Sequence, residues 1–412
     1  MAESKVARCP QLDLVVVYAL EFPSTSRDPN YLRNRGWVDG PFAVEVTAER
    51  GTNKATGASD QWRLQDGVLP RVGQILYAKE TRFHVDLRSE SIQVEGFTLQ
   101  GLEILALHED SWPGLRMLAV HCHQSLPDCD ATTMKSRLSK ARNAFKKKIR
   151  PGADAFGVGS PLNVIARYTE GATHDQYVWL PFVGTCVRGA QGKLNHGQWG
   201  RFADLSFANL RRVDDSGDAK PTLVHGNWRV STKAPGILAE HRSQSDPSGN
   251  FHSIWADGFL LHWAEVTILE RLAADTASLG DPADSAAQFR ALNKALRVFR
   301  NRWWWREYAT WEAANATFRS LQTQALSLEK FEALQADHDL FISAIQADET
   351  RRFNRLAVYL SIVSGIGAVA GVLALFSARL TSGTTFQWLV ILSLFVTVSA
   401  LVFYSLKGEN NG

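Results

Sequence analysis

The stretch Leu356–Phe376 reads LAVYLSIVSGIGAVAGVLALF and contains no charged residue. A second uncharged stretch, Phe386–Leu406, reads FQWLVILSLFVTVSALVFYSL. Each is about 20 residues long, which is the length that crosses a hydrocarbon core of roughly 30 Å at 1.5 Å per residue. The two stretches therefore predict two transmembrane helices, and a buried helical hairpin in a soluble core is the alternative.

The segment Ser377–Thr385 between these stretches is short enough to join only antiparallel neighbours, so the prediction is a helical hairpin with both chain ends on one side. Four basic residues flank the hairpin on that side, and a single one lies in the turn: Arg351, Arg352, Arg355 and Lys407 against Arg379. By the positive-inside bias, we expect a multi-pass protein of the plasma (inner) membrane. Its N- and C-termini would be cytoplasmic, and the lipid bilayer would be a partner.

The N-terminal part of the chain contains short apolar or alternating runs between clusters of Gly, Pro, Asp and Asn, which is typical of β-strands. The predicted strands are Leu12–Leu20, Phe42–Thr47, Gly73–Ala78, Phe83–Leu87, Leu102–Leu107, Leu115–His121, Asn163–Tyr168, Tyr177–Val183 and Thr222–Val224. One amphipathic helix is predicted among them, from Ala131 to Ile149. The pattern favours an α+β or α/β body and does not decide the strand order.

Helical patterns follow the strand-rich region. Ser253–Ser278 has apolar residues at helical spacing. From Ala283 to Ser364 there is neither Gly nor Pro, and apolar residues recur at steps of three and four. This step is typical of a helix that is packed along one seam. The sequence predicts one long stalk helix that continues into the first span, and breaks near His338 or Asp348 are the alternative.

The predicted organisation follows from these patterns. In chain order it comprises a strand-rich cytoplasmic body 1–250, a packing helix 251–279, a long stalk helix 283–355, a transmembrane helix 356–376, an outer turn 377–385, a second transmembrane helix 386–406 and a cytoplasmic tail 407–412.

Over roughly Ser253–Gly412 this layout resembles the CorA-like metal-ion transporter superfamily. The resemblance implies a homopentamer whose first span lines an axial pore. The family's Gly-Met-Asn signature is missing, because the outer end of the first span reads LALFSAR from Leu373 to Arg379. A ring of Arg379 side chains would repel divalent cations. We therefore expect an oligomeric ion channel or transporter of CorA-like layout, a degenerate member gated through its cytoplasmic domain, without an assigned ion.

A membrane-anchored sensor or effector is the alternative function. The hairpin would then be an anchor or a gradient-dissipating pore, as in defence-type membrane effectors that respond to a ligand. No P-loop, zinc-protease, nucleophile-elbow or dinucleotide motif occurs, so an enzyme is not expected. The formal net charge of +3 gives no reason to expect nucleic acid. The expected partners are further copies of the chain and a small-molecule or ion ligand, and no cofactor is predicted beyond a permeant or regulatory metal ion.

Candidate site residues lie on the first span and beside it. The pore-lining candidates are Asn354, Ser361, Ser364, Gly367 and Gly371. Helix packing is the alternative for the glycines, and a bond to the helix's own backbone is the alternative for the hydroxyls. Charged residues are expected at the cytoplasmic mouth, with a solvated helix face as the alternative. They are Asp348, Glu349, Arg351, Arg352 and Arg355, and Arg379 is expected at the outer mouth.

Aromatic and metal-binding residue types complete the candidates. Three consecutive indoles cover most of a helix circumference, so stalk packing is predicted for Trp303, Trp304, Trp305 and Trp311. A ligand site that combines stacking on Trp with charge from Arg is the alternative. No metal site is predicted, although a strand would place His121 and His123 on one face, because their spacing to the nearby cysteines matches no standard ligand set.

Overall fold

The computed structural model describes residues 11–23, 29–42, 67–78, 80–107, 111–125, 131–145, 163–169, 171–178, 180–188, 223–225, 228–233, 236–241, 251–279 and 286–377. Two compact units divide the chain. The first consists of Met1–Leu279 with Ala287–Gln335, and the second of Gly280–Ala286 with Ala336–Gly412. The sheet described below belongs to the first unit.

Eleven strands form one mixed sheet. They are β1 (Gln11–Glu21), β2 (Val38–Asp39), β3 (Arg82–Asp86), β4 (Gln93–Val94), β5 (Phe97–Ala106), β6 (Leu115–Ser125), β7 (Thr173–His174), β8 (Phe182–Arg188), β9 (Leu223–His225), β10 (Trp228–Lys233) and β11 (Gly236–His241). The strand order is β2-β3-β5-β6-β1-β8-β11-β10-β9, with β4 beside β5 and β7 beside β1. Strands β8 and β11 are parallel, and the other described pairs are antiparallel.

The described helices are α1 (Pro29–Arg33), α2 (Pro70–Leu76), α3 (Ala131–Phe145), α4 (Asn163–Tyr168), α5 (Ala256–Ala277), α6 (Ala286–Val298), α7 (Glu312–Gln324) and α8 (Ser327–Ser377). Helix α5 packs on one face of the sheet, and α3 and α4 pack on the other. Two π-helical turns accompany them: Phe251–Trp255 leads into α5, and Phe299–Trp303 follows α6. Such turns are rare and are frequently found at functional sites.

The central strand β1 explains why the sheet is covered on both sides. Its residues from Leu12 to Leu20 are all buried, and successive side chains point to opposite faces. Val15 and Val17 belong to the core that contains α5, whereas Leu14 and Val16 belong to the core that contains α3 and α4. A strand that is buried on both faces reads as a nearly continuous apolar run, so a charged residue in such a run needs a partner.

Several strand predictions coincide with strands of the structure, namely those for β1, β3, β5, β6 and β9, whereas Tyr177–Val183 overlaps β8 only at Phe182 and Val183. Two are wrong, because Gly73–Ala78 lies largely in α2 and Asn163–Tyr168 forms α4. Pro70 occupies the first turn of α2, where its fixed φ favours a helix start. Short apolar runs of this length do not distinguish strand from helix by periodicity alone. The run Phe42–Thr47 and the end of the helix predicted to reach Ile149 lie largely outside the described residues.

The single stalk helix predicted for 283–355 is also wrong. The chain leaves the helical conformation at Trp304, which is extended with φ −97° and ψ 106°, and again at Leu326, where φ is 53°. Between these breaks, α7 lies in the first unit. Phe299, Trp303 and Tyr308 are all buried in the core around α5. One straight helix could not direct all three of these side chains into the same core, so tertiary packing overrides the continuous helical pattern.

The prediction of a transmembrane hairpin is wrong as well. Within the described residues, no helix has both the length and the apolar character that a bilayer crossing requires. This finding contradicts the predictions of a transmembrane protein, of a channel and of an inner-membrane location. The stretch 356–376 forms the end of α8, and the earlier part of this helix carries charged residues up to Arg355. The turn beyond Ser377, the second span 386–406 and the tail 407–412 lie outside the described residues.

Candidate functional site

A row of ionisable side chains crosses four adjacent strands on the face that α5 covers. Its members are Arg82 on β3, Glu103 on β5, His121 and His123 on β6, and Asp13 on β1. Strand alternation places the two histidines on one face, as the sequence predicted, and Asp13 lies directly opposite His123 in the register. All of these side chains except His123 are buried, so the row is a polar seam inside the fold.

Arg82 connects this seam to α5. Its Nη2 donates to Glu103 Oε1 at 2.8 Å and to Asp257 Oδ1 on α5 at 2.6 Å, and its Nε also donates to Glu103 Oε1 at 3.0 Å. Tyr77 donates its hydroxyl to the second oxygen of Asp257. Burial alone would lower the pKa of Arg82, but the two carboxylates outweigh it and raise that pKa above its ordinary value. The guanidinium is therefore a permanent positive charge between two strands and a helix.

A chain of imidazoles continues from Glu103 to the edge of the site. His121 Nε2 lies 3.2 Å from Glu103 Oε2, and His121 Nδ1 lies 3.1 Å from His252 Nδ1 in the π-turn before α5. His252 Nε2 is 3.2 Å from Asp13 Oδ1, and His123 Nδ1 is 2.8 Å from the same oxygen. The His123 side chain is 29% exposed, so the chain links solvent with the buried Glu103.

The number of protons in this chain is constrained by its geometry. Each of the four contacts needs one hydrogen, whereas three neutral imidazoles bring only three. All four can be hydrogen bonds only when the cluster carries one proton more than neutral imidazoles and ionised carboxylates would hold. The contacts form one direct row of side chains from the partly exposed His123 to the buried Glu103.

The middle of α5 carries a further buried carboxylate. Glu265 accepts hydrogen bonds from the backbone N–H of Trp305 at 3.1 Å and from Gln322 Nε2 on α7 at 2.9 Å. Burial raises the pKa of Glu265 from 4.5 to about 8, although both hydrogen bonds oppose that rise. On the same helix, burial lowers the pKa of His262 to about 3, so this imidazole stays neutral. The helix is thus bonded to the sheet near its start and to the segment after α6 farther along.

Metal binding and cysteine reactivity are two other chemistries that concern this seam. Among the described residues there is no group of three or more His, Cys, Asp or Glu side chains that could hold a metal ion. Cys122 points to the opposite face of β6, where burial raises its pKa and keeps it a thiol. Cys122 is therefore not part of the seam.

The tryptophans selected from the sequence lie beside this site. Trp303 is buried, Trp304 stacks on Phe331 with ring centroids 4.7 Å apart, and Trp311 precedes α7. The Trp305 ring lies 5.5 Å from the Arg71 guanidinium carbon. They pack α6, α7 and the start of α8 within the first unit.

The remaining predicted site residues lie on α8 in the second unit. The pore-lining candidates Asn354, Ser361, Ser364, Gly367 and Gly371 are all exposed. Ser361 Oγ donates to the Ala357 carbonyl at 2.7 Å, which is the local bond that the sequence left as the alternative. The charged candidates Glu349, Arg351, Arg352 and Arg355 are exposed, Asp348 lies on the same helix, and Arg379 is outside the described residues.

Sequence reasoning missed most of the buried seam. Asp13 and Glu103 each interrupt an apolar strand run, and a charge inside such a run signals a buried partner. The sequence alone could therefore have indicated that Asp13 and Glu103 are buried with partners. It could not have identified Arg82, His252 and Asp257 as those partners, because their positions depend on the strand order and on the position of α5.

The pKa of Glu265 predicts a specific pH dependence. Because the folded-state pKa is raised above the unfolded value of 4.5, this residue's contribution to stability is complete below pH 4.5 and is lost as the pH rises to about 8. In the wild type, the ionisation of Glu265 should lower the free energy of unfolding by roughly 5 kcal/mol over this range, and we expect Glu265→Gln to lack that decrease. Denaturant unfolding from pH 5 to 9 should show the variant gaining stability over the wild type as the pH rises.

The exposed Glu332→Gln on α8 is the matched control and should differ from the wild type by a constant amount across this range. A constant difference for Glu265→Gln as well would show that Glu265 ionises normally in the folded protein.

Comparisons with known proteins supply no relative from which a function could be transferred. No family model, no curated protein and no solved structure matches this chain. The resemblance to the CorA-like superfamily stays a prediction. The contacts around α5 are the observations on which a functional proposal can be built.

Proposed function

We propose that this chain is a ligand-responsive sensor protein that acts as a homo-oligomer. The observation that carries the proposal is the double attachment of α5. At the start of this helix, His252 and Asp257 contact ionisable side chains of the sheet. About two turns later, Glu265 accepts bonds from the segment after α6 and from α7. Movement at either attachment therefore has an energetic consequence at the other.

Buried ion pairs favour this proposal over a purely stabilising role. A buried pair is often no more stable than apolar packing of the same shape, but breaking it by removing one partner costs about 3–5 kcal/mol. The ion pair of Asp257 with Arg82 and the hydrogen bonds of Glu265 thus favour one position of the helix, and leaving that position breaks them. A ligand with different affinities for two such arrangements shifts their populations by that difference.

The surface of α8 supports assembly. Many large apolar side chains of this helix are exposed, namely Leu340, Phe353, Leu356, Val358, Tyr359, Leu360, Ile362 and Ile366. A soluble monomer rarely leaves a continuous apolar helix uncovered. A second copy presents the same surface, so two copies can cover each other at once. At Gly365, Gly367 and Gly371 an added Cβ would meet nothing within 4 Å, which leaves room for a neighbouring backbone. The pentameric number implied by the resemblance stays a prediction.

The sensor proposal predicts communication along α5. Asp257→Asn removes the charge that Arg82 holds while keeping the shape of the side chain. We expect faster amide hydrogen exchange along α5 and also at Trp303–Trp305, because the helix loses its attachment to the sheet but keeps its bond to that segment. Hydrogen exchange followed by mass spectrometry measures both regions in one experiment.

The matched control is Asp86→Asn, which removes an exposed carboxylate paired with Arg88 and should leave both regions unchanged. Faster exchange in Asp257→Asn that stops before Glu265 would contradict the proposal.

The assembly proposal predicts a mass above that of one chain, which is 45.7 kDa. Sedimentation of the purified full-length protein should show this larger mass. The double substitution Phe353→Ser with Leu360→Ser should shift the distribution towards the single chain, because both residues are among the most exposed apolar side chains. The exposed Arg351→Ser on the same helix is the control and should keep the larger species. A wild-type protein that sediments as one chain would refute assembly.

A further inference from the structure

A continuous basic segment follows the loop after α5. Between Ala286 and Arg306 there are six basic residues and no acidic one: Arg290, Lys294, Arg297, Arg300, Arg302 and Arg306. In α6 and the π-turn Phe299–Trp303, the apolar side chains of Leu292, Leu296 and Phe299 face the core. The basic residues are exposed, so burial on one side concentrates positive charge on the other.

Part of this surface is concave. A groove with a volume of about 360 Å³ is lined by Arg290, Asn293, Lys294, Arg297, Val298, Asn301 and Arg302. Four cations and two amides thus line one depression, and none of the carboxylates that the structure describes does so. The volume lies in the range of small-ligand sites, about 300–1,000 Å³. The amides add donors that can orient an anion after charge has attracted it.

Two of the four cations that line this groove, Arg290 and Arg297, form no ion pair with any residue that the structure describes. The same holds for Arg300, which follows them in the π-turn. Like charges at one helix turn repel each other, so keeping them together has an energetic cost. Anion binding is a direct way of offsetting that cost, because guanidinium groups match phosphate oxygens with two parallel hydrogen bonds.

We propose that this groove binds a small anion that carries two or more phosphate groups. Residues 290 to 302 extend over about 18 Å at 1.5 Å per residue, which suits a short row of phosphates. Nucleic acid is less well suited, because the formal net charge of the chain is only +3 and the charge is concentrated in this short segment.

The groove also adjoins the attachment of α5. Its end is formed by the π-turn Phe299–Trp303, and two residues later the Trp305 N–H donates to Glu265 on α5. An anion that draws Arg297 and Arg302 together would move this turn and strain the bond to Glu265. This last step rests on the proposed sensor function, whereas binding at the groove does not.

The test uses the full-length protein and inorganic tripolyphosphate as the probe. Isothermal titration calorimetry should show binding that weakens as the salt concentration rises. The double substitution Arg290→Gln with Arg297→Gln should weaken binding by at least about tenfold, because two charge-assisted contacts are lost. Arg351→Gln with Arg355→Gln removes the same charge from α8 and should change the affinity less than about twofold, because its exposed charges are not part of the groove.

Three results would overturn the groove assignment. They are the absence of binding, an equal loss in both double variants, and a single-stranded 20-nucleotide DNA that binds more tightly than tripolyphosphate through Arg290 and Arg297. Hydrogen exchange of α5 in the same samples tests the sensor function separately. Tripolyphosphate that binds at the groove and leaves the exchange of α5 unchanged would overturn the sensor proposal and leave the binding site in place.

Discussion

Arg82 lies between two buried carboxylates, Glu103 on β5 and Asp257 on α5, and the relation of sheet to helix depends on that contact. A guanidinium buried at this depth without counter-charges would carry a large desolvation cost. Removing either partner of a buried ion pair leaves an uncompensated charge in the core. The three residues come from distant parts of the chain, so the contact forms only when the strand order and the position of α5 are both correct. The triad therefore forms together with the fold, and losing one of its members leaves a buried charge without its partner.

The imidazole chain extends this constraint to solvent. His252 and His121 share one hydrogen between their Nδ1 atoms, and Asp13 accepts from His252 and His123. These contacts join β1, β5 and β6 to the π-turn that precedes α5. At the other attachment, Glu265 combines a pKa of about 8 with bonds to two separate segments. Both attachments of α5 are therefore made by titratable groups, and the groove on α6 lies beside the second one.

Much of the strand pattern was accessible from the sequence, because β1, β5 and β6 are long runs bounded by turn residues. The helical character of Ser253–Ser278 was accessible for a similar reason, its apolar spacing. The division of the predicted stalk into separate helices could not be predicted, since the periodicity of 283–364 cannot show that Trp303 and Tyr308 turn into a core. The membrane interpretation of 356–376 rested on the absence of charge, and charge alone does not determine what covers a helix. Within the site, the face shared by His121 and His123 was predictable from alternation. The partners Arg82, His252 and Asp257 required the tertiary structure.

The central claim is that the sheet and α5 are joined by the Arg82–Asp257 ion pair, and a double-mutant cycle measures that pair directly. Unfolding free energies would be compared for the wild type, Arg82→Met, Asp257→Asn and the double variant. If the pair joins the two elements, the double variant should lose less than the sum of the single losses, with a coupling of about 1–3 kcal/mol. Losses that add to within about 0.5 kcal/mol would contradict the account, because α5 would then be held to the sheet by other contacts.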